Sequence, residues 1–209
     1  IFQKLVRDRR GGYCFEQNTL LLLVLRALGY RVTPIGARVR WQKPRDITPA
    51  RTHLFLRVHL ASGDWLTDVG LGSASQTGAL PLAFDRELAT PHEKRRLVRE
   101  DGRLFHQLWT GAAWADCCEF TLDEMFPIDC EVANWWTSTS PVSHFKGGVV
   151  TGLAGRDGTR KAIREGEFTH RRGAEILAKV AITSAPQLLA LLAEHFELPF
   201  PAGTSFGPA

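Results

Sequence analysis

Apolar residues crowd the chain between Thr19 and Leu28, where Leu20-Leu21-Leu22-Leu23-Val24-Leu25 runs unbroken and Ala27-Leu28 follow Arg26. That composition belongs to a buried helix, and Gly29 just beyond it is a natural stop. Further on the pattern changes to period two. In residues 52–60, Leu54, Leu56, Val58 and Leu60 make one apolar face. His53, Phe55, Arg57 and His59 make a more polar one, and the alternation predicts a strand. Ser62-Gly63 and Asp64 read as a hairpin turn that returns through residues 65–69. Residues 31–39 form an earlier strand, and residues 97–99 and 104–109 flank Asp101-Gly102 as a second hairpin. A Pro-rich loop occupies residues 43–49. A short helix or turn is predicted for residues 122–126, ahead of Pro127. Residues 145–154 and 159–163 bracket a third hairpin turn at Gly155-Arg156-Asp157-Gly158. Residues 185–196 are an amphipathic helix with Ser184 as its cap and Pro186 in its first turn. Three regions follow: helical over 1–29, mostly antiparallel β over 30–133, and mixed over 134–209.

Composition narrows the class. The 209 residues are 44% hydrophobic and 23% charged, as in ordinary globular proteins. The apolar run from Leu20 to Leu25 is far too short to span a membrane. A net charge of +4 is modest. Lys94-Arg95-Arg96 and Arg171-Arg172 read as solvated surface, with attraction of a phosphate-bearing ligand as the alternative. No nucleic-acid motif accompanies them, and the glycines between Gly147 and Gly158 do not form G-x-G-x-x-G. Of the four cysteines, Cys117, Cys118 and Cys130 have neither zinc-site spacing nor an obvious disulfide framework. They read as reduced packing residues, so no metal is expected and a reducing cytoplasm is.

Candidate chemistry starts at Arg10-Gly11-Gly12-Tyr13-Cys14-Phe15-Glu16-Gln17-Asn18. Here a cysteine stands at the start of the leucine-rich helix. Unpaired N–H groups and the positive end of the helix dipole favour thiolate there. A buried structural cysteine fits the same position. His53 opens a strand on its more polar side, and Asp68 precedes Val69-Gly70-Leu71-Gly72 near a strand end. Thiolate, imidazole and carboxylate together are what nucleophilic acyl chemistry requires. Sequence order alone does not bring them together in space.

The stretch RGGYCFEQN, the strand opening on His53 and DVGLG resemble the catalytic core of the arylamine N-acetyltransferases. A later segment, Asn134-Trp135-Trp136-Thr137-Ser138-Thr139-Ser140-Pro141-Val142-Ser143-His144-Phe145, is similar to that family's N-x-x-x-S-T-x-P-x-S-x-F stretch. Leu71 departs from the Phe usual at its position. The resemblance implies Cys14 as nucleophile, His53 as base and Asp68 as orienting carboxylate. It implies acetyl-CoA as co-substrate, an arylamine or arylhydrazine as acceptor, and no nucleic-acid or membrane partner. The expected fold is a papain-like α+β cysteine-enzyme architecture. In it, 1–29 is the remnant of an N-terminal helical subdomain carrying the nucleophile helix, 30–133 is β-barrel-like, and 134–209 is an α/β lid. Phe15 and Val69 are expected to line the pocket. Gly70, Gly72, Thr137 and Ser138 are expected near the pantetheine arm. Arg10 is expected to brace the loop, pairing with Glu16.

Two further expectations come with the resemblance. Family members carry a helical segment upstream of this pattern, so the chain reads as shortened and its nucleophile helix as exposing apolar surface. An amide synthase, a papain-type hydrolase and an inactive remnant remain alternatives that the motifs do not separate.

Overall fold

The computed structural model describes residues 1–206; residues 207–209, the end of the predicted third region, lie outside it. A five-residue π-helical turn, Gln3–Arg7, precedes helix α1 (Cys14–Ala27), and residues 8–13, outside any helix or strand, join them. Gly29, with φ of +87°, lies just past the end of α1, in the conformation glycine adopts most readily.

Eight antiparallel strands follow: β1 (Arg31–Val39), β2 (His53–Leu60), β3 (Gly63–Thr67), β4 (Leu80–Pro81), β5 (Leu88–Ala89), β6 (Lys94–Glu100), β7 (Arg103–Trp109) and β8 (Trp114–Glu124). Their spatial order is β4-β3-β2-β1-β8-β7-β6-β5. The edge strands β4 and β5 are therefore neighbours in sequence. A flat sheet would separate them by roughly 34 Å at about 4.8 Å per strand. The seven residue steps from Pro81 to Leu88 reach at most about 25 Å. The sheet must roll up, and it forms a nearly closed barrel. Ile35, Ala37, Phe55, Leu66, Leu80, Leu97, Cys118 and Phe120 fill it.

This roll corrects the reading of β2. Its supposedly polar face points into the barrel, where Phe55 is fully buried. Its other face is buried too, because Leu56 and Val58 pack with Leu21, Leu22 and Leu25 of α1. Arg57 and His59, further along β2, are both bonded to Asp64, while His53 at its start is buried and bonded to Asp68. Residues 122–126 are also corrected. Leu122 to Glu124 finish the long strand β8, and the helix begins only at Pro127 as α2 (Pro127–Thr139). Proline is suited to a first helical turn, where its missing N–H is not needed.

A second antiparallel sheet, ordered β12-β11-β10-β9, holds β9 (Thr151–Ala154), β10 (Thr159–Arg164), β11 (Glu167–Arg172) and β12 (Glu175–Ala181). The predicted strand over 145–154 starts only at Thr151. Helix α3 (Ala185–Phe196) covers this sheet through Leu192 and Phe196, which pack on Ile163 and Phe168. The Ser184 hydroxyl accepts from the Gln187 N–H, a cap that contributes about 1 kcal/mol. The two sheets meet at a short 3-10 turn, Gly72–Ala74. Gly152 of β9 lies so close that a Cβ on it would stand 2.5 Å from the Ser73 nitrogen. Among the described residues no helix is long and apolar enough to cross a membrane. Leu23 and Val24 of α1 and Leu28 just past its end are exposed, as are Ile128, Val132 and Trp135 of α2.

Candidate active site

Helix α1 starts sharply. Tyr13 is extended, and its N–H donates to Glu16 Oε2 at 3.2 Å. Lys4 Nζ meets the other carboxylate oxygen of Glu16 at 2.5 Å. Arg10 instead lies over the Phe200 ring, 4.5 Å from its centroid, so the expected Arg10–Glu16 pair gives way to Lys4–Glu16. Lysine arrives there because the π-helical turn folds back over the start of α1.

Cys14 is the first residue of α1, and its N–H is among the four that no helix can satisfy internally. Its Sγ is 3.7 Å from the carbonyl of Thr52, the residue before His53, and Cys14 lies near enough to the His53 ring to raise its pKa. His53 Nε2 donates to Asp68 Oδ2 at 2.6 Å, which leaves Nδ1 for the thiol. All three groups are buried: Cys14 is 5% exposed, His53 1% and Asp68 0%. The β2–β3 register explains the meeting. Leu56 pairs with Thr67, so the chain leaves β3 at Asp68 beside the beginning of β2.

Burial alone would discharge this imidazole. The Asp68 carboxylate and Cys14 outweigh it and raise the His53 pKa to about 10. Burial likewise opposes the charge on Asp68, but His53, Asn18 and the Gly70 N–H hold its carboxyl below the ordinary range. The pair therefore favours imidazolium beside carboxylate.

Asn18 is the residue that sequence reasoning passed over. It sits one helical turn after Cys14 and is completely buried. Its Nδ2 donates to Asp68 Oδ1 at 2.9 Å and to the Leu54 carbonyl at 2.7 Å, and its Oδ1 accepts from the Val69 N–H at 3.0 Å. The i, i+4 spacing from Cys14 was the available signal. Gly70 meets the same helix end. A Cβ there would stand 2.5 Å from Cys14 Cα and 2.8 Å from Asn18 Nδ2. Gly72 has open space around it and a φ of +59°.

The later motif docks beside the first. The Tyr13 hydroxyl donates to Asn134 Oδ1 of α2, and the Tyr13 ring meets Phe15 and Phe145 edge-on at 5.7 and 5.3 Å. Phe15 is buried with Cys14, Leu54, Met125 and Ala133, whereas Val69 is 41% exposed. The buried Thr137 hydroxyl donates to the Ala133 carbonyl of its own helix, and Ser138 is exposed. A cavity of about 440 Å³ lies between the barrel and α2, lined by Arg51, Thr52, Met125, Ala133 and Trp136 among others. It shares Thr52, Met125 and Ala133 with the surroundings of Cys14, and its size falls within the roughly 300–1,000 Å³ of small-molecule sites.

The three-residue basic run proves heterogeneous. Lys94 is exposed and pairs with Glu87, Arg96 stacks over Trp114, and Arg95 is wholly buried. Strand alternation turns Arg95 to the face opposite Lys94 and Arg96, so the three do not make one solvated patch. Arg171 of the second pair is half-buried and donates to the Gly173 carbonyl.

Comparison with known proteins agrees with this geometry. Residues 1–204 match the family model described as N-acetyltransferase. The chain is 33% identical to the arylamine N-acetyltransferase of Escherichia coli K12 over 196 residues, 94% of this chain and 69% of that protein. It is 36% identical to that of Mycolicibacterium smegmatis over 201 residues, 94% of this chain and 72% of the relative. The structure of Mycobacterium marinum arylamine N-acetyltransferase in complex with CoA superposes with a TM-score of 0.88 at 33% identity, covering 94% of this chain and 73% of that one. The Salmonella typhimurium enzyme gives 0.86 at 30% identity, over 99% and 75%. With a family model spanning nearly its whole length and relatives of this similarity, the chain belongs to the arylamine N-acetyltransferase family.

Proposed function

We propose that this chain transfers an acetyl group from acetyl-CoA to an arylamine or arylhydrazine through an acetyl-cysteine on Cys14. The observation that carries the reading is the burial of Cys14, His53 and Asp68 together at the start of α1, with His53 bonded to Asp68 at 2.6 Å and Cys14 beside the chain that enters His53. The Cys14 thiolate attacks the thioester carbonyl, whose developing negative charge faces the N–H groups of the first turn of α1. The C–S bond to CoA breaks, and the departing thiolate takes the His53 proton. The acetyl group now sits on Cys14 as another thioester, so it stays reactive. An arylamine, unprotonated at neutral pH, attacks that carbonyl, and neutral His53 accepts the proton the amine loses. The amide leaves, and thiolate and imidazolium are restored. General acid–base help of this kind contributes roughly 10²–10⁴-fold.

Asp68 keeps the imidazole in one tautomer and orientation throughout. The cavity beside Thr52, Met125 and Trp136 is the proposed seat of the aromatic acceptor. Val69, exposed at the mouth of the site, is proposed to meet the substrate. Gly72, Thr137 and Ser138 are proposed to lie along the CoA arm. Four free cysteines suit a reducing compartment, and the cytoplasm is the proposed location.

Intact mass after brief incubation with acetyl-CoA tests this reading. One added acetyl group, mapped to Cys14 and discharged by an arylamine, is expected, and Cys14→Ser should abolish it. Acetyl release to water faster than to amine would replace the transferase with a hydrolase. A folded protein that takes no acetyl group from acetyl-CoA would overturn the reading.

A further inference from the structure

A second set of buried charges lies beyond the turn that follows Asp68. Arg95 of β6 and Arg160 of β10 are 0% and 3% exposed, and both bind Glu93, itself nearly buried. Arg95 donates to Glu93 Oε1 from Nε at 2.8 Å and from Nη2 at 2.6 Å. Arg160 donates from Nε to Oε2 at 2.9 Å and from Nη2 to Oε1 at 2.8 Å. Two guanidinium groups thus share one carboxylate. His106 adds no charge of its own: burial and the adjacent Arg95 push its pKa down to about 3, and its Nε2 accepts from Arg95 Nη1 at 3.0 Å.

The surplus positive charge is met by backbone carbonyls from a single turn. Arg95 Nη2 donates to Ala74 at 2.9 Å and Ser75 at 3.0 Å. Arg160 donates to Ser73 at 3.2 Å and Ser75 at 2.9 Å. Buried ion clusters of this kind are poor sources of stability, since apolar residues of similar volume often serve as well. What they supply is position. The next residue, Gln76, donates its N–H to the Asp68 carbonyl at 2.9 Å and closes the turn onto the carboxylate residue. Gly70, inside the same turn, lies against Cys14 Cα.

We propose that Arg95, Glu93 and Arg160 are positioning residues for the acyl-transfer site, gripping the carbonyls of residues 73–75 so that Asp68 stays on His53 and Gly70 on Cys14. Because Arg160 comes from the second sheet, seating that sheet becomes a condition for a competent triad. The inference rests on Cys14, His53 and Asp68 being the catalytic groups.

Arg160→Gln and Arg160→Lys test it. Lysine keeps a cation beside Glu93 but not the fork that also reaches two carbonyls. In folded Arg160→Gln, alkylation of Cys14 by iodoacetamide should slow roughly tenfold to a hundredfold, the scale expected of misplaced reacting groups. Lysine should restore part of that rate. The kcat for acetyl transfer should fall with it, while KM for acetyl-CoA changes little. A lower Tm with unchanged alkylation in both variants would mean that the cluster is structural only, and would overturn the proposal. Hydrogen exchange on the unmodified protein decides the matter even if neither variant folds. The 72–77 segment should be protected as well as β2 and β6, and exchange at the rate of an open loop would overturn the clamp. Failure of the underlying reading looks different, because then the unmodified protein itself would take no acetyl group on Cys14.

Discussion

Asn18 and Asp68 are joined side chain to side chain, 50 positions apart in sequence, by a buried 2.9 Å bond that ties the carboxylate to the helix bearing Cys14. The same amide also satisfies the Leu54 carbonyl and the Val69 N–H. Asn18 therefore holds β2, the post-β3 turn and α1 in one frame. Asn18→Ala should remove all three bonds at once. Each buried group left unsatisfied costs roughly 1–3 kcal/mol, so a loss of at least about 3 kcal/mol is expected in urea unfolding. Alkylation of Cys14 in the folded variant should slow as well. A stability within about 0.5 kcal/mol of the parent, the range of ordinary surface substitutions, would contradict this account.

Gly70 and Gly72 look alike in sequence and should respond differently to alanine. At Gly70 the new Cβ would fall 2.5 Å from Cys14 Cα, and neither backbone can yield without separating α1 from the turn. Gly70→Ala should cut acetyl transfer by about a hundredfold, the scale of a 1 Å misplacement. At Gly72 nothing stands within 4 Å, so alanine meets only the strain of a φ near +59°. That strain costs about 1–2 kcal/mol. Steady-state kinetics on the two variants checks the contrast, and equal losses of activity would refute it.

Much of this was legible in the chain because it is local. The leucine run with Gly29 gave α1, the Asp101-Gly102 dipeptide gave the β6–β7 turn, and Ser184 with Pro186 gave the start of α3. Two other features were long-range and left little local trace. Period two in residues 52–60 correctly predicts a strand, but not that its polar-looking face fills a barrel. That burial follows from β4 and β5 being forced together by a short connection. Arg95 was hidden for the same reason. A basic triplet reads as solvated until its middle member finds a carboxylate and two carbonyls from a distant turn. Asn18 was within reach, since four residues separate it from Cys14 on one helical face.

Tyr13 links the two motif segments through its hydroxyl and its ring. Tyr13→Phe keeps the edge-on contacts with Phe15 and Phe145 and removes only the bond to Asn134. A half-buried bond of this kind contributes about 1 kcal/mol. The expected result is a Tm lower by a few degrees with the Cys14 alkylation rate preserved, because the hydroxyl touches none of the three reacting groups. A large fall in alkylation would instead place Tyr13 within the chemistry.

The two buried histidines near the site should shape stability against pH in opposite ways. His53 titrates at about 10 in the folded protein and near 6.5 when unfolded, so the native state holds the extra proton between those values. Its contribution is complete below about pH 6.5 and is lost as pH rises through about 10. His106 is depressed to about 3, so below pH 6.5 the unfolded chain takes up a proton that the native state refuses. Its contribution is complete above about 6.5 and is lost as pH falls towards 3. Each limb has a limiting slope of about 1.4 kcal/mol per pH unit. Asp68, with its lowered pKa, affects only the acid end below about pH 4. Thermal unfolding from pH 4.5 to 9 should therefore trace a dome centred near 6.5. His53→Gln should flatten the alkaline side, and His106→Gln, which retains an acceptor for Arg95, should flatten the acid side. Variant curves running parallel to the parent on both sides would show that neither histidine has its pKa shifted by the fold.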